Sequence, residues 1–292
     1  MKQILTLLLS TLLFGIANCR NDQTLLQTKL VLSSKTRNIN YQVDKRSAFA
    51  QVKVENFEDP HLMKRLRAGA QTRQIGKKKA VLFGLILAFN SGLVNGITLS
   101  GLLSYDGTKQ ASAAVTGAWT NSALGAAIGN NKQFLFNTKC ILSYFFGSFL
   151  SGMINPNPEP FQISVPSFRV VFFIGSILLY TSHIFTQKSN HTYLFLAAIA
   201  NGMQNSLTST TTANLVRSAH FSGITSDMGT FLGQLIRGNT QNLMKLKVFF
   251  SLAISFWTGS FLSYGLTKSL GKETLLLCSS LYLLLGLAVG LI

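Results

Sequence analysis

The sequence has few acidic residues, few cysteines and few prolines, and each shortage restricts the class of protein. Nine Asp and Glu residues stand against 26 Lys and Arg, and only 12% of the 292 residues are charged, where soluble domains carry roughly a quarter. Three cysteines cannot form a disulfide framework or a zinc site of recognised spacing. Four of the five prolines fall within 155–167, which predicts one stiff, extended connector there.

Enzyme motifs are absent as well. The chain has no H-E-x-x-H, no phosphate-binding loop, no G-x-S-x-G and no paired carboxylates. Its four histidines lie far apart in the sequence, at positions 61, 183, 191 and 220. We therefore expect a protein that is not an enzyme and that uses no cofactor and no metal ion.

Long uncharged runs dominate the chain after residue 80. A helix needs about 20 apolar residues to span the bilayer core, and seven runs come close to or exceed that length: 80–105, 110–131, 140–158, 170–187, 189–216, 248–267 and 274–292. The strand-like alternation of a membrane β-barrel is absent. The sequence therefore predicts an all-α, polytopic membrane helix bundle.

Positive charge is concentrated before this region. Residues 1–19 have the pattern of a signal peptide or signal anchor, and residues 20–79 form a basic extension predicted to be disordered or, alternatively, transit-like. Seven basic residues within 64–79 have no interleaved aromatic residues, which argues against nucleic acid. We expect anionic lipid headgroups near Lys77, Lys78 and Lys79. The predicted route is secretory, to a plastid membrane in a eukaryote or otherwise to a plasma or inner membrane.

Three short motifs occur twice, in the same order. SGLVNG at 91–96 matches NGMQNS at 201–206, TGAWTN at 116–121 matches SGITSD at 222–227, and SYFFGSFLSG at 143–152 matches SFWTGSFLSY at 255–264. The offsets are 110, 106 and 112 residues, so they are nearly constant. This pattern predicts two internal repeats of about four segments each, unit A at 80–187 and unit B at 190–292.

At these motifs the chain resembles the YoaK-like family of multi-pass membrane proteins, a family of unknown function. The family pattern has G-x-V-D-A, T-G-N, G-x-Q-N-A and T-G-x-L-T, and the chain has GLVNG at 92–96, TGA at 116–118, GMQNS at 202–206 and SGIT at 222–225. Asn95 replaces the family Asp, and Ala118 replaces the Asn, with Asn121 one helical turn further on. The resemblance covers about 80–292 and implies a multi-pass membrane fold without a defined activity.

The number of crossings stays open at six or eight. The candidate segments are 80–104, 111–130, 138–154 and 168–186 in unit A, and 190–212, 218–236, 247–266 and 273–292 in unit B. If all eight cross, the two units are parallel. If each glycine-rich second segment only dips into the membrane, the units cross three times each and are inverted, as in many transporters. Counting charges on each side does not decide between these arrangements.

Polar residues inside these segments are the candidate functional residues, because polar groups at membrane depth must contact protein or water. Asp227 is the one acidic residue well inside a predicted segment. We expect solute contacts from six residues and helix breaks or close packing at four glycines: Asn95, Thr116, Asn121, Gln204, Asn205 and Asp227; Gly92, Gly117, Gly202 and Gly223.

The favoured interpretation is a permease-like transporter of a small solute or ion, with a site between the two units. The alternative is a non-transporting membrane scaffold or assembly factor, in which the same polar residues only join helices. In both interpretations the main partner is the lipid bilayer, and a homo-oligomer is allowed. The sequence does not identify the solute.

Overall fold

The computed structural model describes residues 72–186 and 191–289, so the predicted signal segment and nearly all of the basic extension lie outside the described residues. Each of the eight predicted segments overlaps one helix, and the predicted all-α class is confirmed. The helices are α1 (Lys77–Ser100), α2 (Thr116–Ala127), α3 (Asn131–Ile154), α4 (Val165–Phe185), α5 (Thr192–Thr211), α6 (Phe221–Ile236), α7 (Leu243–Leu270) and α8 (Glu273–Ala288).

A short antiparallel ribbon joins the start of α1 to the start of α4. Strand β1 (Thr72–Gln74) pairs with β2 (Gln162–Ser164), and β2 lies within the proline-rich stretch 155–167 that was expected to be extended. The Ile75 amide donates to the carbonyl of Phe161 at 2.8 Å, which continues the pairing to the helix. Helices α1 and α4 therefore begin at the same end of the molecule.

Three helices in the described part of the chain are long and apolar enough to cross a membrane: α1, α4 and α7. Helix α8 is apolar but shorter, at 16 residues. These helices are compatible with an integral membrane protein. Many large apolar side chains are exposed on α3 and α7, including Phe145, Phe149, Trp257 and Phe261, as expected for surfaces that face lipid rather than water.

Helix α1 packs mainly against α7, and α3 packs mainly against α5. Contacts between α1 and α7 advance together along both helices, from Leu85 with Ser255 to Gly96 with Ser263, so the two helices are parallel. Helices α3 and α5 are parallel for the same reason, because the contacts advance from Phe136 with Phe195 to Ser148 with Gly202. Each of these tight pairs joins a helix from one half of the chain to a helix from the other half.

The remaining long contacts are antiparallel. Between α1 and α5, Leu87 contacts Gln204 while Ser91 contacts Asn201, so the two helices run in opposite directions. Between α4 and α8, Phe172 stacks on Tyr282, Ser176 contacts Ser279, and His183 lies near Glu273. The main apolar core lies among α1, α4, α5 and α8.

The chain reverses direction after α1 and again after α5. The amide of Gln110 donates to the carbonyl of Thr98, and residues 110–113 run back along the end of α1. Helix α2 is antiparallel to α3, since Ser122 contacts Thr138 while Gly125 lies on Phe134. Helix α3 is parallel to α5, which is antiparallel to α1, so α3 is antiparallel to α1. Helix α2 therefore points in the same direction as α1. The segment before α6 returns along α5 in the same manner.

Candidate functional site

A buried polar cluster lies where α1 crosses α5, and we call Asn90, Ser91, Asn201, Gln204 and Tyr282 the central seam. All five residues are at most 1% exposed. Ser91 donates to the Asn201 side chain at 2.9 Å, and the Gln204 amide donates to the carbonyl of Leu87 at 2.9 Å. Hydrogen bonds of this kind are required wherever polar groups are removed from water.

Helix α8 supplies the rest of the seam. The Tyr282 hydroxyl donates a hydrogen bond to the side-chain oxygen of Gln204. The Asn90 amide donates to the carbonyl of Cys278 at 3.3 Å, but the Asn90 oxygen is buried and accepts no hydrogen bond. Three helices therefore meet through side-chain amides, and one acceptor among them is unsatisfied.

Two predicted site residues, Asn95 and Asn205, hold the returning segments against the long helices. The Asn95 oxygen accepts from the amide of Ala113 at 3.0 Å, and the Asn205 oxygen accepts from the amide of Ala219 at 3.1 Å. Asn95 is 8% exposed and Asn205 is half-buried. Both side chains have structural partners, which the sequence motifs did not specify.

Replacing either asparagine by alanine is expected to destabilise its returning segment. Asn95→Ala leaves the Ala113 amide without its acceptor, and such a loss costs about 1–3 kcal/mol of unfolding free energy. Asn205→Ala is expected to behave alike. Asn121→Ala is the control, because that side chain is exposed, and a change within about 0.5 kcal/mol is expected. Unfolding in detergent and limited proteolysis of 101–115 and 212–219 would measure the effects; equal stability of all three variants would contradict this role.

The other predicted residues lie at the ends and outer faces of α2 and α6. Thr116 and Asn121 are exposed on α2. Gly117 lies in the first turn of α2 with open space around it, and Gly223 lies in the first turn of α6 against the His220 side chain. Each helix starts close to its glycine because the preceding residues bond back to α1 or α5 and are not helical.

Asp227 lies on α6 and contacts Arg217 from the returning segment before it. The Arg217 Nη1 to Asp227 Oδ2 distance is 3.8 Å, and the two side chains are 27% and 40% exposed. A partly exposed ion pair at this distance contributes little to stability. No group of three or more histidine, cysteine and acidic side chains that could hold a metal ion occurs among the residues that the structure describes.

Gly92 and Gly202 are sites of close helix packing. A Cβ at Gly92 would overlap the backbone carbonyl of Phe256 on α7, and one at Gly202 would overlap the carbonyl of Tyr144 on α3. Ser260 and Ser148 then donate to the glycine carbonyls at 3.0 and 3.1 Å. The two contacts correspond to each other, because Gly92 and Gly202 are separated by 110 residues, the offset of the first motif. Neither glycine belongs to the central seam.

Sequence reasoning did not identify Ser91, Ser112 or Tyr282. Ser112 lies on the returning segment, where it accepts from Asn201 at 3.3 Å and from Thr98 at 3.1 Å. Ser91 could have been found, because it is separated from Asn201 by 110 residues, the offset of the first motif. Tyr282 lies outside all three motifs, so no signal in them points to it.

A second polar cluster outside the predicted site joins the loop after α1 to the start of α5. His191 contacts both carboxylate oxygens of Asp106 at 3.2 Å, and its ring stacks on Tyr105. Hydrogen bonds from Ser104, then from Thr108, and also from His191, hold the pKa of the Asp106 carboxyl well below its usual range. The cluster is at the end of the molecule opposite Lys77.

A cavity of about 20 Å³ lies at the base of α1, and apolar side chains with a few threonines line it. It has room for about one water molecule. Phe83, Leu87 and Phe168 are among its lining residues, and Asp227 is not. The cavity therefore does not coincide with the candidate site.

Comparison with known proteins gives a family but no characterised relative. No curated protein matches the chain, and no solved structure matches it. The profile of a protein family of unknown function, DUF1275, matches residues 83–288, which is more than two thirds of the chain and includes all of the central seam. The chain therefore belongs to the DUF1275 family of proteins of unknown function.

Proposed function

We propose that the protein is a permease for a small polar solute or ion, built from two inverted repeats that cross the membrane six times in total. The observation that carries the proposal is the pair of short helices, α2 and α6, that follow reversals of the chain. Each repeat would then have three crossing helices and one segment that enters the membrane and returns. This plan is common among secondary transporters.

Equivalent contacts at the sequence offsets support the two repeats. The bond from Ala113 to Asn95 has its counterpart in the bond from Ala219 to Asn205, with offsets of 106 and 110 residues. The bond from Ser148 to Gly202 has its counterpart in the bond from Ser260 to Gly92. Contacts this specific are difficult to explain for unrelated segments of similar composition.

Helix directions support six crossings, and so does the length of α2. Helix α2 has 12 residues, which corresponds to about 18 Å at 1.5 Å per residue. Helix α6 has 16 residues, as many as α8, so its direction and not its length is the argument there. The hydrocarbon core is about 30 Å thick. Since α2 points in the same direction as α1, and α6 in the same direction as α5, neither short helix adds a crossing. The antiparallel arrangement of α1 with α5, and of α4 with α8, is the one that inverted repeats require.

The short helices direct their amino-terminal ends toward the middle of the bundle. Ala113, three residues before α2, is level with Asn95, one helical turn from the Ser91 contact with Asn201. The residues that precede α2 and α6, Val115 and His220, make no capping hydrogen bond from their side chains. Free amides and the positive end of a helix favour an anionic or hydrogen-bond-accepting solute. Asp227, which contacts Arg217 on the α6 side, would couple the movement of this solute to protons.

The charge distribution is consistent with this topology. The end at which α1 begins also has the starts of α4 and α7 and the end of α6, with exposed Lys77, Lys78, Lys79, Arg169, Arg237, Lys245 and Lys247. Positive residues are retained on the cytoplasmic side or its equivalent. Anionic lipid headgroups would contact this end. The YoaK-like resemblance, the secretory route with its final membrane, and a homo-oligomer remain predictions.

Flux through purified protein in liposomes tests the proposal. We expect proton-coupled uptake of at least one solute from a panel of small monocarboxylates and inorganic anions, followed with a pH-sensitive dye inside the vesicles. Asp227→Asn is expected to lower the flux at least about tenfold, which corresponds to about 1.4 kcal/mol of activation free energy. Glu273→Gln is the matched control, because Glu273 is the first residue of α8, away from α6. The absence of flux from folded wild-type protein would contradict the proposal.

The alternative function is a membrane scaffold, and one observation favours it. The central seam is closed by side-chain hydrogen bonds, and the described cavity beside α1 is mainly apolar and is not lined by Asp227. A scaffold needs only the helix contacts that these bonds provide. In that case Asp227→Asn would change stability slightly and would alter no flux.

A further inference from the structure

We propose that the parts that move during transport are not the two sequence repeats but two bodies that each combine helices from both. The first body is α1 with α6 and α7, and the second body is α5 with α2 and α3. The bodies separate along the crossing of α1 with α5, while each remains rigid. This inference rests on the proposed transport function, which supplies the reason for a movement.

The first body is held together by contact between backbones. Gly92 on α1 lies on the carbonyl of Phe256, and Gly259 on α7 lies on the carbonyl of Phe89. Ser255 and Ser260 on α7 donate to carbonyls of α1 at 2.7 and 3.0 Å. Two helices at this separation cannot slide by one residue, because a side chain would then replace a glycine at the contact.

Helix α6 is attached to the same body. Its buried Ile224 belongs to an apolar cluster with Val81 and Ala88 of α1 and Leu252 of α7. The ring of Phe221 lies 4.1 Å from that of Phe256, measured between centroids. Helix α6 is therefore expected to move together with α7, and a loop of only six residues, 237–242, also connects the two helices.

The second body repeats this construction. Gly147 on α3 lies on the carbonyl of Ile199, and Gly202 on α5 lies on the carbonyl of Tyr144. Helix α2 is attached to α3 through Ser122 and Thr138, whose hydroxyls are 2.8 Å apart. Ala118 of α2 is buried against α3.

The contact between the bodies is of a different kind. It includes side chains that exchange hydrogen bonds, with Ser91 donating to Asn201 and Gln204 donating to Leu87, beside apolar side chains of the main core. Such bonds can be replaced by bonds to water when the helices separate. The buried Asn90 oxygen has no donor in this closed arrangement and would gain one from water in an open arrangement. The seam is therefore the interface that can open.

Helices α4 and α8 connect the two bodies at one side. They are antiparallel and touch through Ser176 and Ser279, and α4 also packs on α5 while α8 contacts α1. Because these two helices bind each other as well as one body each, they would act as the hinge. The bodies would then rock about the α4–α8 pair and open at opposite ends in turn.

Distances between spin labels separate this inference from movement of whole repeats. Three exposed positions lie toward one end of the molecule: Leu99 on α1, Tyr264 on α7 and Leu135 on α3. Leu99 and Tyr264 belong to one body but to different repeats. Leu99 and Leu135 belong to one repeat but to different bodies. The labels would be placed as cysteines in the full chain with Cys19→Ser, since Cys140 and Cys278 are buried.

We expect one narrow distance for the Leu99–Tyr264 pair and two distances, several ångströms apart, for the Leu99–Leu135 pair. Leu124–Leu135, within the second body, is the matched control and should give one distance. The reverse result, with a variable Leu99–Tyr264 pair and a fixed Leu99–Leu135 pair, would show that repeats move as units and would overturn the inference. One fixed distance in every pair would also overturn it.

This result is independent of the flux measurement. If the liposomes show no flux but the label distances follow the expected pattern, the transport function fails and the division into bodies stands. If flux is present and the distances follow the repeats, the function stands and the division fails.

Discussion

Gly259→Ala and Gly147→Ala are expected to be among the most destabilising small substitutions in the described part of the chain. In each case the new methyl group would overlap a backbone carbonyl, of Phe89 for position 259 and of Ile199 for position 147. Backbone atoms in a packed helix cannot move aside as a side-chain tip can. Overpacking costs typically 1–3 kcal/mol, and we expect about 3 kcal/mol for each of these changes.

Gly265→Ala and Gly152→Ala are the matched controls in the same two helices, α7 and α3. Apart from the chain neighbours and the backbone of the same helix turn, no described atom lies within 4 Å of a Cβ added at either position. Alanine is a better helix former than glycine by roughly 1 kcal/mol, so these variants should be neutral or slightly more stable. Reversible unfolding by SDS in mixed micelles would measure all four. If all four variants change the unfolding free energy alike, the close contacts at positions 259 and 147 are not what makes those glycines sensitive to substitution.

Helix positions could be predicted from the sequence because apolar runs and charged interruptions mark them directly. All eight segments overlap a helix, and the start of α5 at Thr192 is within two residues of the predicted 190. Glycine contacts were anticipated at Gly92 and Gly202, since small residues at helix crossings follow from packing alone. The class of fold depended only on this local information.

The returning segments could not be predicted in the same way. The run 110–131 is uncharged and long enough to cross a membrane, yet its helix begins at Thr116, because Asn95 and Thr98 bind the residues before it. Those bonds join positions 14–18 residues apart and leave no periodic trace in the sequence. Thr116 and Asn121 were therefore expected inside the bundle, whereas the structure exposes both.

In the central seam, too, some residues could be recognised in the sequence, but their hydrogen-bond partners could not. Asn201 and Gln204 were recognisable as polar residues in an apolar helix, but their partners come from α1 and α8. Tyr282 follows Gln204 by 78 residues and lies in a run of leucines, where an aromatic residue raises no expectation of a hydrogen bond. Only the packing of α8 against α4 brings its hydroxyl to the seam.

Tyr282→Phe is expected to destabilise the protein by about 1–2 kcal/mol, because the Gln204 oxygen would remain buried without its donor. Tyr193→Phe is the control. The Tyr193 hydroxyl is also buried and lies near Ser104, but it makes no hydrogen bond of normal geometry. Its removal should therefore change the unfolding free energy by less than about 0.5 kcal/mol. Both variants are nearly isosteric, so no cavity term complicates the comparison.

A double-mutant cycle with Gln204→Leu separates the bond itself from other effects. Gln204→Leu also removes the bond to the Leu87 carbonyl, but that loss occurs in both backgrounds and cancels in the cycle. The remaining coupling between Tyr282 and Gln204 should be about 1 kcal/mol. Additive losses would mean that the hydroxyl and the amide do not interact. If they do interact, the same Gln204→Leu change should also increase the fraction of molecules that show the longer, open distance in the Leu99–Leu135 label pair, because a broken seam favours separation of the two bodies.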